Sequence, residues 1–205
     1  HIMGSGSEVC GKIKVIDVGL PKLLLEEGDI SLITKKNVSS ILSKRSNFAH
    51  KNNFGHSLVL GGSHGLCGAL SLACEAALKS GSGLVSAATW EQNYPEFLSR
   101  LNTNEVMTGI IPSGGDPKGV ESILRDLMKY QSIVIGPGLG QTEIAREVAL
   151  EVLNSYPGPV VVDADAIKVL SAKKDSDVFY KRKGPTVLTP HIGEFANFVE
   201  EKKSA

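Results

Sequence analysis

Three turns in this sequence gather residue types that hold anions, cations or planar rings. The first is Gly61-Gly62-Ser63-His64-Gly65-Leu66-Cys67-Gly68. Missing side chains there let backbone amides approach an anion or a ring, and the start of the helix expected next favours negative charge. Gly62 and Gly65 are the candidates for nucleotide or phosphate contact, although a glycine turn that serves only a positive φ has the same composition. The second, Ile135-Gly136-Pro137-Gly138-Leu139-Gly140, sets three alternating glycines ahead of a helix, a pattern that recurs at phosphate and dinucleotide sites. Gly136 and Gly140 join the candidates.

The third turn, Asp163-Ala164-Asp165, closes the run Val160-Val161-Val162. Carboxylates at the carboxyl edge of a sheet can hold a hard cation such as Mg²⁺ directly or through water. A plainer reading has Asp165 capping the next helix; one aspartate is expected to cap and the other to face the site. Further on, Thr189-Pro190-His191-Ile192-Gly193-Glu194 offers an imidazole and a carboxylate beside a glycine, where acid-base use and a merely solvated loop histidine are both open. Cys67 and Cys74 sit on or beside an apolar helix and read as packing residues. His50 and Lys51 read as solvated loop charges, and Trp90, Tyr94 and Phe97 as aromatic core or the rim of a ring-binding pocket.

Elements that could position these turns are legible in the hydrophobic pattern. The segment 56–62 is an apolar strand entering the first turn, 69–79 an Ala/Leu-rich helix ending at Ser80-Gly81, and 84–89 a second strand. Strand, helix, strand in that order is a right-handed βαβ unit with parallel strands. The pattern repeats with a strand at 132–135, a helix at 143–153, a β-branched strand at 159–163, a helix near 166–170, a charged turn at 173–177 and a strand at 186–188. Upstream, residues 12–19 alternate as a strand would, and Thr34 or Asn37 can cap a short helix running to Leu42. No internal repeat or low-complexity tract interrupts this, and the expected fold is an α/β sandwich around a mainly parallel sheet. Ligands of such sheets lie beyond the carboxyl ends of the strands, where the turns are.

Composition narrows the class. A chain of 205 residues with 41% hydrophobic content can core one domain. Lys+Arg and Asp+Glu both number 22, which leaves no global field to gather nucleic acid or acidic lipid. The three cysteines have no metal-ligand spacing and suit a reducing, cytoplasmic compartment. No apolar run reaches the roughly 18 to 20 residues that span a bilayer, and no export signal is read. Residues 1–7 read as a tag or cloning remnant.

Taken in series, the motifs resemble the nucleotide-dependent NAD(P)H-hydrate dehydratases, which have a ribokinase-like fold. The resemblance is carried by the HKNNFG segment at 50–55, the strand and turn at 58–69, SGSGLVSAAT at 80–89, Asn104-Glu105-Val106-Met107, the glycine turn at 135–140, VVVDADAI at 160–167 and VLTPHIGEF at 187–195. It implies a ribokinase-like three-layer sandwich spanning 50–205 after a lead-in at 8–49, which is similar to the close of an epimerase half in bifunctional repair proteins. It implies ADP or ATP and Mg²⁺ as cofactors, and hydrated NADH or NADPH as the small-molecule nucleotide substrate, returned to NAD(P)H by dehydration. Ala69, Gly138 and His191 are the implied substrate contacts, with Asp163 and Glu194 organising Mg²⁺ and phosphates.

Two departures accompany the resemblance. Ile192 stands where the family usually has proline. Related enzymes also continue beyond this turn with further strands, a nucleotide-binding segment and a glycine-rich helix start carrying the general-base aspartate, whereas this sequence closes at 199–205 with VEEKKSA. The expectation is a truncated or split enzyme, lacking the usual last strands and helices, inactive unless another chain completes it, and a homo-oligomer that covers an exposed sheet edge. The competing reading is a non-catalytic nucleotide-binding module that retains the half-site.

Overall fold

The computed structural model describes residues 6–14, 16–21, 33–42, 44–112, 125–171, 175 and 177–196. Residues 1–5, read above as part of a tag, part of the turn expected at 173–177 and the 197–205 segment lie outside the described residues. Contacts divide the chain into two units, His1–Asn47 and Phe48–Ala205.

In the first unit, α1 (Gly6–Val9) is a single turn, and α2 (Lys35–Ile41) is fixed by a reciprocal cap between Thr34 and Asn37. The strand expected at 12–19 does not form among the described residues. Ile13, Ile16 and Val18 are 49%, 75% and 76% exposed, so the alternating pattern has no partner strand and no buried face to stabilise it.

In the second unit, each short apolar run becomes a strand. These are β1 (His56–Leu60), β2 (Leu84–Trp90), β3 (Val106–Ile111), β4 (Ser132–Ile135), β5 (Val160–Val162) and β6 (Thr186–Leu188). They form one sheet in the order β3-β2-β1-β4-β5-β6, and every pairing is parallel. Successive residues of β1 face opposite sides, as a pleated strand requires. Leu58 and Leu60 pack with Ile133, Ile135 and the second-half helices, while Val59 packs with Val85, Cys67 and Phe97.

Helices cover both faces. On one side lie α3 (Cys67–Ser80), stopped by Gly81 in the left-handed region, and α4 (Tyr94–Arg100), started by Pro95. On the other lie α5 (Glu143–Ser155), α6 (Ala164–Ser171) and α7 (Asp177–Lys181). Thr142 caps α5 by accepting the Ala145 amide at 3.2 Å, and Ala145, Val148, Ala149, Val152 and Leu153 form its buried stripe. Arg182 secures the end of α5 to β6, donating to the carbonyls of Leu153, Tyr156 and Gly158 and to the Thr186 hydroxyl. No helix among the described residues is long and apolar enough to cross a membrane.

Candidate active site

Strand order sets the place of the site. From β1 the chain moves outward through β2 to β3, and from β4 it moves the other way through β5 to β6, so the turns after β1 and β4 diverge and leave a crevice. The two expected glycine turns form its lips. They are laced together, with the Gly62 amide donating to the Pro137 carbonyl at 3.1 Å and the Ser63 amide to the Gly138 carbonyl at 2.5 Å. A cleft of about 550 Å³ opens between Ser63 and His64 on one lip and Leu139 and Gly140 on the other. Trp90 and Asn93 also line it, and the Trp90 indole donates to the Leu139 carbonyl at 2.8 Å.

Close approach explains why glycine occupies the second turn. A Cβ on Gly136 would stand 1.7 Å from the Asp163 carbonyl oxygen, and one on Gly138 2.6 Å from Leu66 Cβ. Gly138 is buried behind the lip, and the expected substrate contact at Ala69 lies exposed in the first turn of α3. Gly65 differs from both: its φ is +75° and a Cβ there would meet nothing within 4 Å. Its amide donates to Glu96 Oε2 at 3.2 Å, and the same oxygen lies 3.5 Å from His64 Nδ1, so α4 anchors the first lip.

The two aspartates diverge because Ala164 between them adopts φ +44°. Asp163 Oδ1 accepts the Thr189 hydroxyl at 2.6 Å. The plainer of the two readings of Asp165, as the cap of its own helix, does not hold. The helix already begins at Ala164, and the Asp165 carboxylate instead accepts the Gly140 amide at 3.0 Å and Gln141 Nε2 at 3.1 Å. It thereby satisfies an amide of the β4 turn from the neighbouring strand end.

At the β6 end, Glu194 is 5% exposed and already engaged. It accepts the His191 amide at 3.1 Å, lies 3.2 Å from His191 Nε2 and 3.6 Å from Lys168 Nζ. Among the described residues no three His, Cys, Asp or Glu side chains converge as a metal-ligand set. A Mg²⁺ carried on nucleotide phosphates asks for only one or two protein carboxylates, and Asp163 at the sheet edge fits that smaller demand.

The model for the NAD(P)H-hydrate dehydratase family matches residues 57–204, a span that contains both lips, the two aspartates and the 189–194 segment. The chain belongs to the NAD(P)H-hydrate dehydratase family. It is similar to the bifunctional NAD(P)H-hydrate repair enzyme Nnr of Moorella thermoacetica, with 34% identity over 206 aligned positions covering 97% of this chain. The chain spans 38% of that protein's length. An ADP/ATP-dependent NAD(P)H-hydrate dehydratase from Bacillus subtilis, co-crystallized with ATP/Mg²⁺, superposes with a TM-score of 0.62 at 30% identity, covering 84% of this chain and 59% of that one. A ribokinase-like superfamily protein from Enterococcus faecalis gives a TM-score of 0.69 at 24% identity over 82% of this chain and 56% of its own, a likeness of fold. The fold is therefore the ribokinase-like α/β sandwich.

Sequence reasoning missed the supporting groups of the candidate site. Glu96, Lys168 and Gln141 carry no motif of their own, and only the Glu143 and Lys168 spacings along helices hint at ion pairs.

Proposed function

We propose that this chain supplies the dehydratase fold that returns hydrated NADH or NADPH to NAD(P)H with ADP or ATP as the driving nucleotide. The reading is carried by the two interlaced glycine turns at the strand reversal, within the segment that matches the family. Phosphoryl transfer to the hydroxyl of the hydrated ring converts a poor leaving group into a phosphate ester. Loss of inorganic phosphate together with a ring proton then restores the double bond. Such chemistry rests mostly on positioning and charge stabilisation.

In this reading the phosphates lie along the two lips at Gly62, Gly65, Gly136 and Gly140, which admit them by the absence of side chains, since the four glycine amides are already donated to Pro137, Glu96, Leu60 and Asp165. His191 contacts the hydrated cofactor, with Ala69 and Gly138 bounding the pocket. Asp163 would hold Mg²⁺ arriving on phosphates, and Glu194 would do so only on release from His191 and Lys168. The bound cation would screen charge on the transferring phosphoryl group.

The lead-in at 8–49 is read as the junction to an epimerase half, supported by the 97% coverage of this chain in its match to the bifunctional Moorella enzyme. A cytoplasmic setting agrees with three free cysteines. A homo-oligomer agrees with the edge position of β6 and the 54% exposure of Val187 on it, and sedimentation would test that.

The test mixes the chain with hydrated NADPH, Mg²⁺ and ADP or ATP, following the near-ultraviolet band of NADPH and, by calorimetry, binding. Recovery of NADPH supports the reading. Binding without recovery leaves a nucleotide-binding module, and absence of both overturns it.

A further inference from the structure

Two carboxylates in the second half of the site are almost wholly buried: Asp165 at 6% and Glu194 at 5% exposure. They come from different elements, Asp165 from the first turn of α6 and Glu194 from the helical segment that begins at residue 192 after β6. One ammonium serves both. Lys168 Nζ lies 3.7 Å from Asp165 Oδ1 and 3.6 Å from Glu194 Oε1. The other oxygen of each carboxylate is committed to a backbone amide of the site, Asp165 Oδ2 to Gly140 at 3.0 Å and Glu194 Oε2 to His191 at 3.1 Å.

We propose that Lys168 is a positioning residue, whose ammonium draws the Asp165 and Glu194 carboxylates together and so fixes the cleft lip at Gly140 relative to His191. Its place on α6 explains the reach. Three residues beyond Asp165 it lies on the same helical face, and its side chain is 40% exposed, so the ammonium keeps some hydration while neutralising two desolvated anions. Without it, the two buried carboxylates lose the ammonium they share, which favours their separation. Arginine would retain the charge and the two-sided reach, whereas methionine would fill the volume without the charge. The consequence for function rests on the proposed contact of His191 with the hydrated cofactor.

The experiment compares wild type, Lys168→Met and Lys168→Arg in ¹H–¹⁵N spectra of the ligand-free protein, and then in calorimetric titration with hydrated NADPH. In Lys168→Met the Gly140 and His191 amides shift together, and Lys168→Arg returns both. Affinity for hydrated NADPH falls about tenfold in the methionine variant and recovers in the arginine variant. Should Lys168→Met fail to fold, Lys168→Gln, which keeps a donor but not the charge, is read in the same way. Unmoved amides in the uncharged variant, or amides that arginine does not restore, overturn the proposal. Amides that move and recover in a protein whose wild type binds no hydrated NADPH uphold the role of Lys168 and overturn the functional reading instead.

Discussion

Asp165 reaches from α6 to accept the Gly140 amide at 3.0 Å, joining the end of β5 to the turn after β4 through a carboxylate that is 6% exposed. The bond holds a glycine-rich lip that has few side chains of its own with which to stay in place. Asp165→Ala leaves the Gly140 amide without its acceptor and Lys168 with one carboxylate fewer. We predict a loss of about 3 kcal/mol in unfolding free energy, read as a lower urea midpoint with an unchanged slope. A midpoint within experimental error of wild type would show that the lip is held by other contacts.

Gly138 and Gly65 both have positive φ, +61° and +75°, yet they predict different outcomes. Alanine at 65 meets open space and bears only the left-handed backbone cost, about 1 to 2 kcal/mol. Alanine at 138 adds a collision with Leu66 at 2.6 Å and is expected to cost about 3 kcal/mol or more. Thermal denaturation of the two variants ranks them. A ligand-facing Gly65 further predicts that Gly65→Ala weakens nucleotide binding by more than its stability loss accounts for.

His56 provides the pH dependence. Burial, and then the neighbouring Lys129 ammonium, hold its pKa below the ordinary value near 6.5; its Nε2 lies 2.8 Å from the Ser86 hydroxyl and its ring packs edge-on to Tyr130. A histidine kept neutral in the fold is protonated more readily in the unfolded chain, so stability is present above the unfolded pKa and declines as pH falls from about 6.5 toward the lower folded pKa. His56→Gln flattens that decline. Melting curves taken between about pH 7.5 and 5.5 should converge for the two proteins at the acidic end, and parallel curves would discount His56.

Thiol chemistry offers an independent check on packing. Burial, followed by Glu96, pushes Cys67 up to about 11, and burial, followed by Glu75, pushes Cys74 up to about 12. Both side chains are fully enclosed. Their thiolate fraction at neutral pH is roughly one in ten thousand or less, so Ellman's reagent should modify them only after unfolding. Peptide mapping after native and denaturing labelling distinguishes this from a nucleophilic Cys67, which would label rapidly in the native protein.

Five of the six strands were legible because each is a short apolar run bounded by glycine, proline or a polar turn, and β4 and β6 fall on the residues expected. The missed strand, β3, lies at the sheet edge. Its Met107, Thr108 and Ile110 remain exposed and Gly109 interrupts the run, so the β-branched residues Val106, Thr108, Ile110 and Ile111 do not form the continuous apolar run that marks the buried strands. The helix α4 was likewise hidden behind its aromatics: Phe97 is core, and Trp90 on the preceding strand is core that also lines the cleft. At the site, the glycine turns and aspartates were visible as types and spacings. Their partners were not, because Gly140 with Asp165 and Lys168 with Glu194 meet only once the strand order brings β4, β5 and β6 side by side.

The seam between β1 and β4 has a consequence for how this molecule comes together. Ser57 and Ser132 touch across it at 2.9 Å although 75 residues separate them, and each half of the sheet can add its own strands by shorter loops. Closing that seam carries the larger chain-entropy cost and is expected late in assembly. The mouth of the cleft is made of the same two strand ends, so it does not exist until the halves have docked. A ligand that bridged both lips would therefore act as a clasp on the last-formed joint, stabilising the docked state by mass action and slowing its opening.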